Sequence, residues 1–136
     1  MTLHLLERRA IRGGCLAAVT LLLLTGCGER NVAMPPPADA NVARQALERA
    51  LAQWQAGQTA EMLAAAEPKT YVNDYDWRDG RKLKQFAVAG PAEEVGLQVR
   101  VPVALELEHP SGQVVRSQVS YSISTTPVVS IVRDDP

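Results

Sequence analysis

The sequence predicts an α+β domain in which two N-terminal helices pack on a curved antiparallel sheet of three to four strands. Three observations carry that reading. Apolar residues recur at three- and four-residue spacing from Ala43 to Trp54, the period of one helix face. From Leu97 to Leu107 the period changes to two, the signature of a half-buried strand. Turn-forming segments then cut the remaining chain into further short strands.

The first segment of the chain reads as an address. Arg8, Arg9 and Arg12 stand against a single acid, Glu7, and are followed by an apolar run over residues 15–24. A basic stretch ahead of a short apolar one is the layout of a signal peptide. The run is too short to cross a hydrocarbon core, which takes about 20 residues. The positive charge holds the N-terminus on the cytoplasmic side. Leu24-Thr25-Gly26-Cys27 then supplies an aliphatic residue, two small residues and a cysteine.

That tetrapeptide, in that place, resembles the lipobox of bacterial lipoproteins. The resemblance implies that the Cys27 sulfur takes a diacylglycerol, that the bond before Cys27 is cut, and that residues 1–26 are lost as a signal peptide. The membrane is then a partner through the lipid on Cys27, since each buried CH2 contributes about 0.8 kcal/mol. Gly28 follows Cys27 in place of an aspartate. By the same resemblance this implies a place in the bacterial cell envelope, at the outer membrane and facing the periplasm. The resemblance covers the N-terminal part of the chain and carries nothing for the rest.

Composition bounds the function. The 136-residue chain has 14 basic and 15 acidic side chains, which argues against a strongly basic nucleic-acid binder. Aromatics at 4% argue against base-stacking platforms. Loss of Arg8, Arg9, Arg12 and Glu7 leaves 11 basic against 14 acidic side chains, a mild acidity that does not help binding to anionic lipid. Cys15 and His4 leave with the signal peptide. The mature chain keeps Cys27, its sulfur blocked, and His109, so neither a disulfide nor a metal or other cofactor is expected.

Residues 27–38 read as the lipidated cysteine and a tether, because Pro35-Pro36-Pro37 favours extended polyproline II. One α+β domain is expected over residues 39–136. Asp39 or Asn41 caps its first helix. Ala43, Ala46, Leu47, Ala50, Leu51 and Trp54 form the inner stripe, with Trp54 as a core anchor, and Gly57 stands where a helix closes. A second helix runs from Thr59 as cap through Ala66. Glu61 sits in its first turn, Met62, Leu63 and Ala66 on its inner edge, and Pro68 stops it. Residues 67–80 show the least regular pattern.

Leu83, Phe86 and Val88 mark a strand over residues 81–89. Leu97, Val99, Val101, Val103, Leu105 and Leu107 mark a clearer one. Pro102 lacks an N–H, so its strand is at an edge there or bulged. His109-Pro110-Ser111-Gly112 makes a hairpin turn. Val115, Val119, Tyr121 and Ile123 alternate on the next strand with Ser117 as a small break. Thr126-Pro127 interrupts it, and Val128 to Arg133 forms the last strand. The order of helices and strands over residues 39–133 resembles a cystatin-like or NTF2-like α+β roll. It fits the NTF2-like version better, although the chain is short for one.

Chemistry-bearing residues are few. Asp74, Asp76 and Asp79 form the densest polar cluster. Counted as a calcium loop from Asp74, the glycine comes one place late and Gln85 stands where the last ligand belongs. The expectation is a solvated loop with Arg78 paired to one of the carboxylates. A carboxylate pair for glycoside hydrolysis finds support only in residue type. His109 reads as a solvated turn histidine, and Arg78, Arg81, Lys82 and Lys84 as a solvated face. Tyr71, Tyr75 and Trp77 are the aromatics of this region. Trp77 and Phe86 either line the mouth of a pocket or finish the core.

No residue is assigned a catalytic role. The candidate ligand or partner surface is Tyr75, Asp76, Trp77, Arg78 and Phe86. The expected function is a non-catalytic binding or interaction module with a protein partner in the envelope. The alternative is a small-ligand-binding or minor enzymatic roll with its site near Tyr75, Asp76 and Trp77.

Overall fold

The first helix, α1 (Ala40–Gln55), starts where Asp39 turns an extended chain into a helix; the computed structural model describes residues 33–134. The Asp39 carboxylate accepts hydrogen bonds from the main-chain N–H groups of Asn41 and Val42, at 2.9 and 3.0 Å. First-turn donors have no partner inside the helix, so this cap satisfies two of them. The six stripe residues from Ala43 to Trp54 are all buried. At the other end Gly57 takes a φ of 87°, a left-handed conformation that glycine adopts without strain. The N–H groups of Gly57 and Gln58 then donate to the carbonyls of Trp54 and Gln53, which closes the helix as a Schellman motif.

Helix α2 (Ala60–Ala65) is capped by Thr59 and has no fully buried residue. Leu63 packs on the core, but Met62 is exposed and is not on the inner edge. Six residues make less than two turns, and neighbours on a helix diverge by about 100°. With Leu63 inward, Met62 must point away.

The sheet has six strands: β1 (Thr70–Asn73), β2 (Lys82–Val88), β3 (Glu93–Val95), β4 (Gln98–Glu108), β5 (Val114–Ser124) and β6 (Val129–Asp134). Their order is β1-β6-β5-β4-β2, with β3 also paired to β4. The expectation of three to four antiparallel strands is thus corrected twice. Two short strands, β1 and β3, are added, and β1 runs parallel to β6, so the sheet is mixed. A short helix, α3 (Tyr75–Arg78), follows β1 in the segment that showed no regular pattern.

One face of the sheet meets α1. Val99, Val101, Val103, Leu105 and Leu107 of β4, with Tyr121, Ile123 and Ile131, are buried with Leu47, Leu51 and Trp54. Their alternate neighbours on β4 stay half-exposed or exposed, which is the one-sided pattern the period of two predicts. Pro102 sits where β2 has ended and β3 has not begun: Val88 pairs with Val103, and Glu93 with Arg100. The Ala89 N–H donates to the Pro102 carbonyl at 2.8 Å, so Pro102 turns its missing donor toward this gap.

Met34 onward belongs to one compact unit. Ala38 is buried in its core, so packing begins one residue before the expected boundary at Asp39. The signal peptide, Cys27, the tether up to residue 32, and Asp135 and Pro136 lie outside the described residues. Among the described residues, no helix is long and apolar enough to cross a membrane.

Candidate functional site

Helix α3 forms because Asp74 caps it. Asp74 Oδ1 accepts from the N–H groups of Asp76 and Trp77, at 2.8 and 3.1 Å. Asp79 ends the helix and Gly80, at φ 80°, lets the chain leave it. Gly80 and Arg81 donate to the carbonyls of Trp77 and Asp76, the same closure as at the end of α1. One turn thereby fixes Tyr75 outward, Asp76 and Trp77 inward, and Arg78 in solvent.

Both inward carboxylates are buried and engaged. The Tyr121 hydroxyl donates to Asp74 Oδ2 at 2.6 Å. Arg133 Nη1 donates to Asp76 Oδ2 and lies 3.5 Å from Asp74 Oδ1. Arg81 Nη1 is 2.9 Å from Asp76 Oδ1, an ion pair without hydrogen-bond alignment, so charge alone holds that oxygen. The Tyr75 ring covers the guanidinium of Arg133, whose Cζ lies 4.1 Å from the ring centroid, a cation–π contact. Two carboxylates thus face two guanidinium groups.

The electrostatics follow from that placement. Burial works against the Arg133 cation, but the hydrogen bond to Asp76 and the charges of Asp74 and Asp76 outweigh it and raise its pKa. Burial, and then the Asp74 charge and hydrogen bond, push the Tyr121 phenol far above its usual range. The cluster thus sets a protonated Tyr121 phenol and the Arg133 cation against two buried carboxylates.

Trp77 stacks on Trp54 with ring centroids 4.9 Å apart and planes within 3°. Each indole N–H reaches a main-chain carbonyl, Trp54 to Arg81 and Trp77 to Gln58, at 2.8 and 2.9 Å. The pair ties the end of α1 to α3 and to the start of β2.

Two open clefts flank these elements. One, of about 490 Å³, runs between the end of α1 and β2, with Arg81, Lys82 and Lys84 on its rim. The other, of about 430 Å³, lies where β6 stops, lined by Tyr75, Arg100, Pro102, Ser120, Arg133 and Asp134. In the second, Arg100 pairs with Asp134 at 3.0 Å, and the Ser122 hydroxyl donates to the same carboxylate at 2.8 Å. This cleft joins the Pro102 gap to Tyr75, two features the sequence singled out.

The five expected surface residues do not act together. Tyr75 alone lines the cleft beside β6. Asp76 and Trp77 are buried. Phe86 is half-buried against the core and borders a separate depression with Ala87, Ala104 and Arg116. Trp77 packs in the core and, with Trp54, borders the cleft between the end of α1 and β2, sharing no pocket with Phe86. Asp74 and Asp76 do not belong to a solvated loop, and Arg78 is not their partner; Arg133 and Arg81 are.

Sequence reasoning missed Tyr121 and Arg133 as members of the cluster. They lie 47 and 57 positions from their partners, so no local spacing in the sequence points to them. His109 is exposed and sits 3.2 Å from the Ser111 hydroxyl within its turn. Among the described residues no group of three or more His, Cys, Asp or Glu side chains is placed to hold a metal ion. No family model, no curated protein and no solved structure matches the chain.

Proposed function

We propose that this chain is a lipid-anchored protein of the bacterial envelope, a non-catalytic binding module whose docking surface is the cleft at the end of β6. The anchoring rests on Leu24-Thr25-Gly26-Cys27 behind the basic and apolar segments, and the location on Gly28. The observation that carries the binding reading is the commitment of Asp74 and Asp76 to Tyr121, Arg133 and Arg81. Carboxylates held in that way position α3 and Tyr75, with their oxygens turned to the protein's own side chains and main chain. Trp77 is buried and stacked on Trp54, and the cleft it borders takes in neither Tyr75 nor Asp76, which favours a binding module over a small-ligand roll with its site around those three residues. The likeness to a cystatin-like or NTF2-like roll belongs to this proposal.

Two experiments test it. Cys27→Ser abolishes both palmitate labelling and membrane partition; labelling that persists in the variant overturns the anchoring. A photo-crosslinking residue in place of Ser120, in the cleft, captures in intact cells a protein partner whose adduct differs in mass from two copies of the chain. The same residue in place of Gln53, on the outer side of α1, does not. Equal capture from both positions, or none from either, overturns the docking surface.

A further inference from the structure

Among the described residues four strands of the sheet have a free edge, and they are not alike. β1 and β3 are short, at four and three residues, and β3 carries Glu93 and Glu94. β2 carries Lys82 and Lys84 and an irregularity between Leu83 and Gln85. Short strands, lysines and bulges are the usual guards against edge-to-edge pairing. The fourth edge belongs to β5. β6 pairs only with Ser120–Ser124, so among the described residues the Val114–Val119 half of β5 has β4 on one side and no strand on the other. This half carries neither lysine nor proline, and Val114 and Val115 are 51% and 40% exposed.

The main-chain direction on this edge is fixed by two hydrogen bonds. His109 N–H donates to the Gln113 carbonyl across the turn, and the Pro102 carbonyl points away from β5 to Ala89. In an antiparallel pair the bonding direction alternates along each strand. Pro102 pairs with Ser120, Ala104 with Gln118, Glu106 with Arg116 and Glu108 with Val114, all in the same phase. The N–H and C=O groups of Val114, Arg116 and Gln118 therefore point outward, along the line that Ser120 and Ser122 use toward β6.

We infer that this edge joins two copies of the chain, β5 against β5 about a two-fold axis at Val115, into one continuous sheet. The register follows from the side chains. With the axis at Arg116, two guanidinium groups stand opposite each other, which is unfavourable. With the axis at Val115, the exposed valines meet, and Val114 and Arg116 exchange main-chain hydrogen bonds with Arg116 and Val114 of the second copy. The charges then complement each other. Arg116 already pairs with Glu106 at 2.9 Å, and Glu108 with Lys84 at 3.0 Å. In this register Arg116 faces Val114 of the other copy, and Glu108 is the next residue across on that copy's β4. Two strand spacings, about 10 Å, separate those main chains, a span the two side chains bridge. A row of lysine, glutamate, arginine and glutamate alternates in sign across the seam, twice by symmetry. The register also clears the described residues of the neighbouring strand. Gln113 falls opposite Ser117, so the partner's turn meets Gln118 and Val119, short of Ser120–Asp134, the last described pair of β5 with β6.

The test is disulfide trapping of the full chain in membranes, with the parent chain as control for Cys15 and Cys27. The axis pair does not exchange hydrogen bonds, so its Cα atoms lie about 4.5 Å apart, within disulfide range. Val115→Cys moves the bulk of the chain to the mass of a dimer on mild oxidation, whereas Arg116→Cys leaves it at the mass of a monomer. Val115→Lys, at an exposed position, keeps the circular dichroism spectrum and melting temperature of the parent but loses the dimer in sedimentation of the detergent-purified protein. Absence of cross-linking from Val115→Cys, equal cross-linking from Arg116→Cys, or a dimer that survives Val115→Lys overturns the proposal. A dimer formed by the parent chain itself instead reports a free cysteine and counts against the lipidation of Cys27, not against this interface.

Discussion

The Tyr121 hydroxyl and Asp74 Oδ2 meet at 2.6 Å and join the middle of β5 to the cap of α3. The phenol must stay protonated to donate this bond, and burial beside a carboxylate raises its pKa. A group whose folded pKa is raised contributes stability that is complete below its unfolded value, near pH 10 for tyrosine, and is lost above it. Unfolding followed from pH 8 to 11 is expected to show a decline steepening above pH 10, by about 1.4 kcal/mol per pH unit from this group. Tyr121→Phe, though less stable at neutral pH, has a shallower alkaline decline. Equal slopes in parent and variant contradict the assignment.

Asp76 faces two guanidinium groups in a buried setting. Asp76→Asn leaves both cations short of charge, and breaking a buried pair from one side costs about 3–5 kcal/mol. Urea denaturation measures this as a lower midpoint. Asp76→Leu combined with Arg133→Met removes both sides of the buried pair and is expected to recover a large part of the loss.

The parallel indoles of Trp54 and Trp77 stack at 4.9 Å, close enough for their excited states to couple. An exciton couplet in the circular dichroism spectrum is the expected readout, and Trp54→Phe and Trp77→Phe are each expected to remove it. Either residue changed to alanine costs about 3–5 kcal/mol, because a large buried side chain leaves a cavity.

Asp39 caps α1 through two main-chain hydrogen bonds. Asp39→Ala costs about 1 kcal/mol in thermal unfolding, and Asp39→Asn or Asp39→Ser restores most of it. Asn41→Ala, one step into the helix, changes little.

Legibility in the sequence followed the strength of local pattern. The stripe of α1, its closure at Gly57 and the alternation of β4 were all readable, because one element buries one face and the period records it. β1 and β3 were not. Thr70–Asn73 is too short for a period to declare itself, and Glu93-Glu94-Val95 is wholly exposed. The acidic cluster misled for a different reason. Asp74 and Asp76 are acids next to turn residues, which locally favours solvent, and they are buried only because Tyr121 and Arg133 arrive from distant strands. Of the expected surface, Tyr75 lines the cleft beside β6, because its turn sends Asp76 and Trp77 inward and leaves Tyr75 and Arg78 outside.

Both indole N–H groups end on backbone carbonyls, at Arg81 and at Gln58, and not on side chains. The clamp between α1, α3 and β2 is consequently indifferent to which amino acid supplies the oxygen. Position 58 is therefore free to drift in evolution without loosening the joint, while each tryptophan is held in place by shape and donor together.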